Sequence, residues 1–217
     1  KGANMSRVLY GYWRSSASYR VRIALGLKGL DYENKGIDLR TGAQGGVGFK
    51  LLNPQGFVPY FIDGDVGLNQ SLAILEYIDE MYPEPSLLDA DPVKRARIRA
   101  AAQIIVCDIH PVDNLRVLKY LKTEMGQEQE AIDDWYRHWI EEGFKPLEEI
   151  AEGSPGPYLF GDQVTLADVC IAPQMYNARR MRTDLSRFPT LVEIDKALMK
   201  LPAFLNARPE AQPDADS

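Results

Sequence analysis

Histidine and cysteine are scarce in this 217-residue chain, which has two of each: His110, His138, Cys107 and Cys170. With no Cys-x-x-Cys and no clustered pair, neither a metal site nor a dithiol redox centre is supported. The cysteines stand far apart in apolar, helix-like surroundings without basic neighbours. They read as reduced core fillers and give the cytoplasm as the expected location. Excess positive charge is missing too: 25 Lys and Arg against 31 Asp and Glu leave a formal charge of −6, which excludes a basic nucleic-acid binder. No apolar run approaches the ~18–20 residues of a membrane span, so no membrane partner is expected. The opening Lys1 to Met5 lacks the apolar stretch of a secretory signal, and the residues ahead of Met5 read as an expression scar. The glycine-rich 42–48 stretch does not match a phosphate-binding loop, and no dinucleotide fingerprint follows the first strand signal, which excludes nucleotide binding.

What the chain does contain divides near residue 85. Val8, Leu9, Tyr10 and Tyr12 make a short β-branched and aromatic run, and 20–30 then repeats apolar residues at helical spacing through Val21, Ala24 and Leu25. A second strand is predicted over 32–39. Strands at 58–62 and 66–68 flank Asp63-Gly64, a hairpin signal, and a helix over 71–82 carries Leu72, Leu75, Ile78 and Tyr82 before Pro83 stops it. Beyond the Pro83 to Leu88 linker only helices are predicted. Asp91-Pro92 opens one reaching about Glu124, bent at Pro111; another spans 127–153 with Trp135, Trp139, Ile140, Phe144 and Leu147 on its apolar side. Thr165 to Asp168 is a capping-box variant, and Phe188-Pro189 opens a fourth helix. The Glu141-Glu142 and Glu148-Glu149 pairs read as solvated faces. The last stretch, 207–217, with three acidic residues, two prolines and no aromatic, is expected to fray.

Three segments carry candidate chemistry. Arg14, Ser15 and Ser16 precede the first helix, whose leading N–H groups have no internal partner and hold about half a positive charge. A serine hydroxyl there adds a donor, and such a spot favours a thiolate over a thiol. A plain N-cap explains the same serines, and the residues leave both readings open. In Asn53 to Pro59, Val58-Pro59 suggests an edge or a cis peptide with the Val58 backbone turned toward an extended peptide; ordinary turn chemistry is the alternative. Gln70 and Ser71 head a second apolar helix whose N-terminus could hold a carboxylate, or where Ser71 is simply a cap.

Taken in order, the segments 15–25, 53–59 and 70–74, then Cys107 to Pro111 with Asn114 to Arg116, and Thr165 to Asp168 resemble the zeta-class glutathione transferases, also known as the maleylacetoacetate and maleylpyruvate isomerase family. The resemblance runs from about Val8 to Pro209. It implies an α/β plus all-α fold: a thioredoxin-like glutathione-binding domain over 5–84 and an all-helical substrate and dimer domain over 90–209. It further implies a cytosolic homodimer and an enzyme that uses glutathione as coenzyme. The implied reaction is cis–trans isomerisation of a small acidic maleyl diketo acid, maleylacetoacetate to fumarylacetoacetate first and maleylpyruvate next. A conjugating or dehalogenating transferase, or a non-catalytic glutathione-fold binding protein, is the alternative. Carried over by position, Ser15, Ser16 and Ala17 fall at the glutathione sulfur, and Val58 with Pro59 against its cysteinyl backbone. Gln70 and Ser71 fall at its γ-glutamyl end, and Gln44, His110, Asn114 and Arg116 at the tripeptide or the pocket mouth. Arg14 and Arg180 are the guanidinium candidates for substrate carboxylates. Ala17 stands where many family members have the cysteine of a Ser-Ser-Cys-Ser motif, which excludes any mechanism through that thiol.

Overall fold

The computed structural model describes residues 7–215; the expected scar, and residues 5 and 6 of the expected first domain, lie outside the described residues. The chain folds as two compact units, Lys1–Ser86 with Lys200–Ser217, and Leu87–Met199.

In the first unit a parallel pair, β1 (Arg7–Gly11) and β2 (Glu33–Gly36), is joined by α1 (Ser16–Leu27). Parallel neighbours require such a crossover, since a tight turn can only reverse the chain. Next come α2 (Val47–Leu52), then β3 (Tyr60–Asp63) and β4 (Val66–Asn69), giving a four-stranded mixed sheet in the order β2-β1-β3-β4. The hairpin register pairs Asp63 with Val66, so its loop is Gly64-Asp65, one residue later than the Asp63-Gly64 signal suggests. Leu9 and Phe61 pair across the sheet and are fully buried, together with Val21, Ile23, Ala24 and Leu25 of α1 and Ile74, Leu75 and Ile78 of α3 (Ser71–Met81). Each of these side chains removed from water contributes ~1.5–3 kcal/mol, alanine less.

The second unit is helical among its described residues: α4 (Pro92–Gln103), a π-helical segment Ile104–Ile109, α5 (Leu115–Thr123), α6 (Gln129–Glu152), α7 (Leu166–Arg180) and α8 (Pro189–Leu198). The single helix expected from Pro92 to Glu124 is therefore interrupted. The chain leaves helical geometry at 111–114, where Pro111 cannot donate and Asn114 starts a new cap. In the widened π segment Cys107 is exposed, which corrects its reading as a core filler; Cys170, buried on α7, fits that reading. Glu148 is also corrected. Instead of facing solvent it is buried and accepts the N–H groups of Thr190 (2.6 Å) and Leu191 (2.9 Å), capping α8 from α6 because Phe188 makes no side-chain cap. The capping box at Thr165 is present: the Asp168 carboxylate accepts from the Thr165 N–H and O–H, both at 2.8 Å, and from the Leu159 N–H at 2.9 Å.

The C-terminal stretch departs furthest from expectation. Residues 200–215 cluster by contact with the first unit and are folded where 207–217 were expected to fray, residues 216 and 217 lying outside the described residues. There α9 (Pro202–Ala207) packs on α1, with Tyr19 Oη donating to the Phe204 carbonyl (3.3 Å) and Arg22 Nε to that of Ala207 (3.0 Å). Pro209 and Gln212 are buried, the latter donating to the carbonyls of Asn206 and Arg208 at 2.9 Å each. No helix among the described residues is long and apolar enough to cross a membrane.

Candidate functional site

The turn from β1 into α1 presents the first cluster. Ser15 is the N-cap of α1: its Oγ accepts the Ser18 N–H at 3.2 Å and its carbonyl accepts the Tyr19 N–H at 2.9 Å. A hydroxyl that accepts still has its own proton to give. Among the described residues nothing takes that proton, and the Ala17 N–H beside it also has no partner. The two serines differ in access, Ser15 half-buried and Ser16 only 7% exposed. Ala17 is buried, and Arg14 is exposed with its guanidinium 5.3 Å from the centroid of the Trp13 ring.

A second cluster is built by loop 53–59 and the start of α3. Asn53, 1% exposed, donates to the Phe57 carbonyl (2.7 Å) and accepts from the Gln55 N–H (3.2 Å) and from Asn69 Nδ2 (3.1 Å), which holds the loop against the end of β4. Gly56 has φ +68, and a Cβ there would stand 3.1 Å from the Gln44 carbonyl oxygen, so the close approach of the two loops requires glycine. Gln44 itself lies in a short 3-10 turn, Ala43–Gly45, with its Oε1 buried and unpartnered among the described residues. The Val58-Pro59 peptide is cis; Val58 is half-buried, and neither its N–H nor its C=O has a hydrogen-bond partner among the described residues.

Gln70 has φ +67, a left-handed conformation that costs a non-glycine residue on the order of 1–3 kcal/mol and marks a constrained position. Its side chain donates to Gln55 Oε1 at 2.8 Å, and Ser71 follows as the first residue of α3. Ser71 Oγ accepts from Nη1 of Arg20 at 3.1 Å, and Arg20 is 1% exposed. A buried guanidinium thus sits behind a helix N-terminus. Both favour an anion at that point. Arg20 lies on α1 just beyond Ser16, so one side chain ties the two helix starts together.

The second unit holds the remaining expected residues. His110 ends the π segment, its N–H bonded to the Ile105 carbonyl at 2.9 Å. Asn114 is the N-cap of α5, its Oδ1 accepting the N–H of the exposed Arg116 at 3.1 Å. Arg180 closes α7, exposed, its Nη2 3.4 Å from Tyr136 Oη and its guanidinium 5.5 Å from that ring's centroid. Sequence reasoning missed Asp113. It is 6% exposed, neither carboxyl oxygen has a hydrogen-bond partner among the described residues, and burial pushes its pKa up to about 8 against the pull of Arg180. Missed as site builders as well were Asn53, Gln55, Asn69 and Arg20. The first two lie in a recognisable turn signature, whereas Asn69 and Arg20 had no signal beyond their motifs.

The glutathione S-transferase N-terminal domain model matches residues 5–80, and the glutathione S-transferase C-terminal domain model matches 129–206. A probable maleylacetoacetate isomerase of Vibrio cholerae serotype O1 is 50% identical over 213 residues, covering 97% of this chain and 99% of that protein. Among solved structures, a bacterial maleylpyruvate isomerase described as a zeta-class glutathione S-transferase superposes with a TM-score of 0.95 at 44% identity, covering 96% of this chain and all of that one. A maleylacetoacetate isomerase of Anaeromyxobacter dehalogenans, solved with glutathione bound in its active site, superposes with a TM-score of 0.88 at 40% identity, covering 98% and 99%. With both domain models matched and similarity along nearly the whole length, the chain belongs to the glutathione S-transferase family, in its zeta class.

Proposed function

We propose that the protein is a glutathione-dependent cis–trans isomerase of a maleyl diketo acid, with maleylacetoacetate the first candidate and maleylpyruvate the second. The observation that carries the reading is the Ser15 hydroxyl, capping α1 with its oxygen while its proton is left to donate.

The chain's own groups fit glutathione at each end. At the sulfur, the Ser15 O–H, the Ala17 N–H and the positive end of α1 stabilise a thiolate, as donors to a charged acceptor contribute roughly 1.5–3 kcal/mol each. Along the tripeptide, the unpartnered N–H and C=O of Val58 can pair with an extended backbone. At the γ-glutamyl end, the start of α3, the Ser71 hydroxyl and the buried Arg20 charge receive a carboxylate, with Gln70 held in place by Gln55. Gln44, His110, Asn114 and Arg116 are assigned to the tripeptide or the pocket mouth. Ser16, being buried, supports the turn.

Bound glutathione supplies a thiolate able to add to and depart from an activated double bond, which lets that bond turn from cis to trans. The protein keeps the sulfur deprotonated through Ser15 and the α1 terminus. Arg14 and Arg180, both exposed guanidinium groups, are assigned to substrate carboxylates, where a bidentate pair fixes orientation. Ala17 in the cysteine position means that no protein thiol takes part at that place.

The test is turnover of each maleyl acid with glutathione in catalytic amount. The expected result is trans product with the thiol concentration unchanged. A thiol count falling with turnover would mean a conjugating or dehalogenating transferase, and retention on immobilised glutathione without turnover a binding protein. We also assign the protein to the cytoplasm as a homodimer. The free cysteines Cys107 and Cys170 support the first, and the exposed Val47 and Leu51 side chains on α2 support the second.

A further inference from the structure

We propose that Asp214, in the C-terminal segment, is a positioning residue for the sulfur-binding turn: its carboxylate fixes the Trp13 N–H and through it the backbone that presents the Ser15 hydroxyl. The inference rests on the function proposed above. The turn 12–15 leaves β1 and enters α1, so apart from the Ser15 carbonyl its backbone groups have no ladder or helix to satisfy them and must find partners elsewhere. The Ser15 N–H closes on the Tyr12 carbonyl (2.9 Å), and the Tyr12 N–H reaches Ser18 Oγ (3.4 Å). The Trp13 carbonyl accepts from Arg22 Nη2 at 2.9 Å, and the Trp13 N–H donates to Asp214 Oδ2 at 3.0 Å, across 201 residues of sequence. Trp13 is therefore held at both backbone groups by side chains, and Asp214 is the one that comes from outside the α1 region.

Asp214 is placed by a built surface. Its other oxygen is 3.5 Å from Asn34 Nδ2 on β2, and a Cβ on Gly36 would stand 3.1 Å from Asp214 Cβ and 3.2 Å from Oδ2, so a side chain at the end of β2 would make this carboxylate give way by a few tenths of an ångström. Gln212 and the buried Pro209 seat the chain on the way there. Asp214 is also a counter-charge for Arg22, which is 3% exposed and whose pKa burial lowers to about 10 against the opposing influence of Tyr32, Asp214 and Tyr19. The same carboxylate thus holds Trp13 directly and, by charge, steadies Arg22, the other side chain that grips it. Ser15 lies two residues on, and its hydroxyl acts on sulfur only within hydrogen-bond reach, where a displacement of an ångström is costly.

The experiment compares wild type with the full-length variants Asp214→Ala, Asp214→Asn and Gly36→Ala in isomerase kinetics over a pH series. In Asp214→Ala, loss of one fixing hydrogen bond is expected to lower kcat about ten-fold and to move the alkaline-going limb of the profile up by about one pH unit, with KM for glutathione little changed. Asp214→Asn retains an acceptor oxygen and is expected to recover most of the rate. Gly36→Ala crowds the carboxylate and is expected to reproduce the Ala effect in part with residue 214 intact. The inference is overturned by an Asp214→Ala profile that superposes on wild type. It is equally overturned by a fall in rate without movement of the pH midpoint, which is the mark of lost stability alone, or by Asn behaving as Ala does. Wild type that turns over neither maleyl acid sinks the isomerase reading instead, so the two failures are distinct.

Discussion

Replacing Ser15 by Ala removes two things that can be measured separately. The first is the cap: Oγ accepts the Ser18 N–H at 3.2 Å, and an N-cap serine lost to alanine costs about 1 kcal/mol, or roughly 2–4 °C in Tm for a chain of this size. The second is the proton offered to the sulfur. A hydrogen bond to a charged acceptor contributes about 1.5–3 kcal/mol, which at about 1.36 kcal/mol per pH unit corresponds to a rise of roughly one to two units in the pKa of the bound thiol. The thiolate is the basic form, so weakening its stabilisation moves the rising limb of the pH–rate profile to higher pH. Near neutrality the rate then falls about 10- to 100-fold and recovers as the medium becomes alkaline. Kinetics from pH 6 to 9 with thermal melts of the same samples would check this, with Ser15→Thr as the variant that keeps both oxygen and proton, and Ser16→Ala as the control at a buried neighbour. A Tm lowered as expected beside an unmoved pH midpoint would show Ser15 to be a cap and nothing more, and would refute the argument.

Other consequences concern stability and the glutathione loop. The folded-state pKa of Asp113 is raised from 3.8 to about 8, so between those values the unfolded chain has lost a proton that the folded chain keeps; stability falls as pH rises through this window. Asp113→Asn lacks the titration, and its Tm relative to wild type should climb between pH 4 and 8, by an amount of order a few kcal/mol in stability; a difference flat with pH counts against the burial argument. Gly56→Ala places a Cβ at φ +68 and 3.1 Å from the Gln44 carbonyl, so a rise in KM for glutathione with kcat nearly unchanged is expected from steady-state kinetics. Asp168→Ala strands the Thr165 and Leu159 N–H groups and should cost about 3 kcal/mol, visible as a shift in denaturant midpoint without a change in the thiol pKa.

Local chemistry was readable in the linear order of residues. Apolar spacing marked α1 and α3, Asp91-Pro92 and Thr165 to Asp168 marked helix starts, and the run of ordered motifs pointed to the family and so to the two-part fold. These signals depend on neighbours within four residues, which sequence displays directly. The short helices α2 and α9 escaped because six residues are too few for a period to show. Cys107 has apolar neighbours in sequence yet is exposed on the π segment, because neighbour composition does not say which side of a helical turn faces the core.

That Ser15 can cap α1 was determined by the sequence alone; that its turn is gripped from behind was decided by the tertiary structure. Arg20 meets Ser71 across 51 residues, Glu148 caps α8 across 42, and Asp214 reaches Trp13 across 201. Asp113, an unremarkable acidic residue in the sequence, becomes a buried carboxyl only once its surroundings close over it. A polar side chain's partner and its distance from water are properties of the packed chain, set by which distant segments the buried apolar surfaces draw together, and no local pattern encodes them.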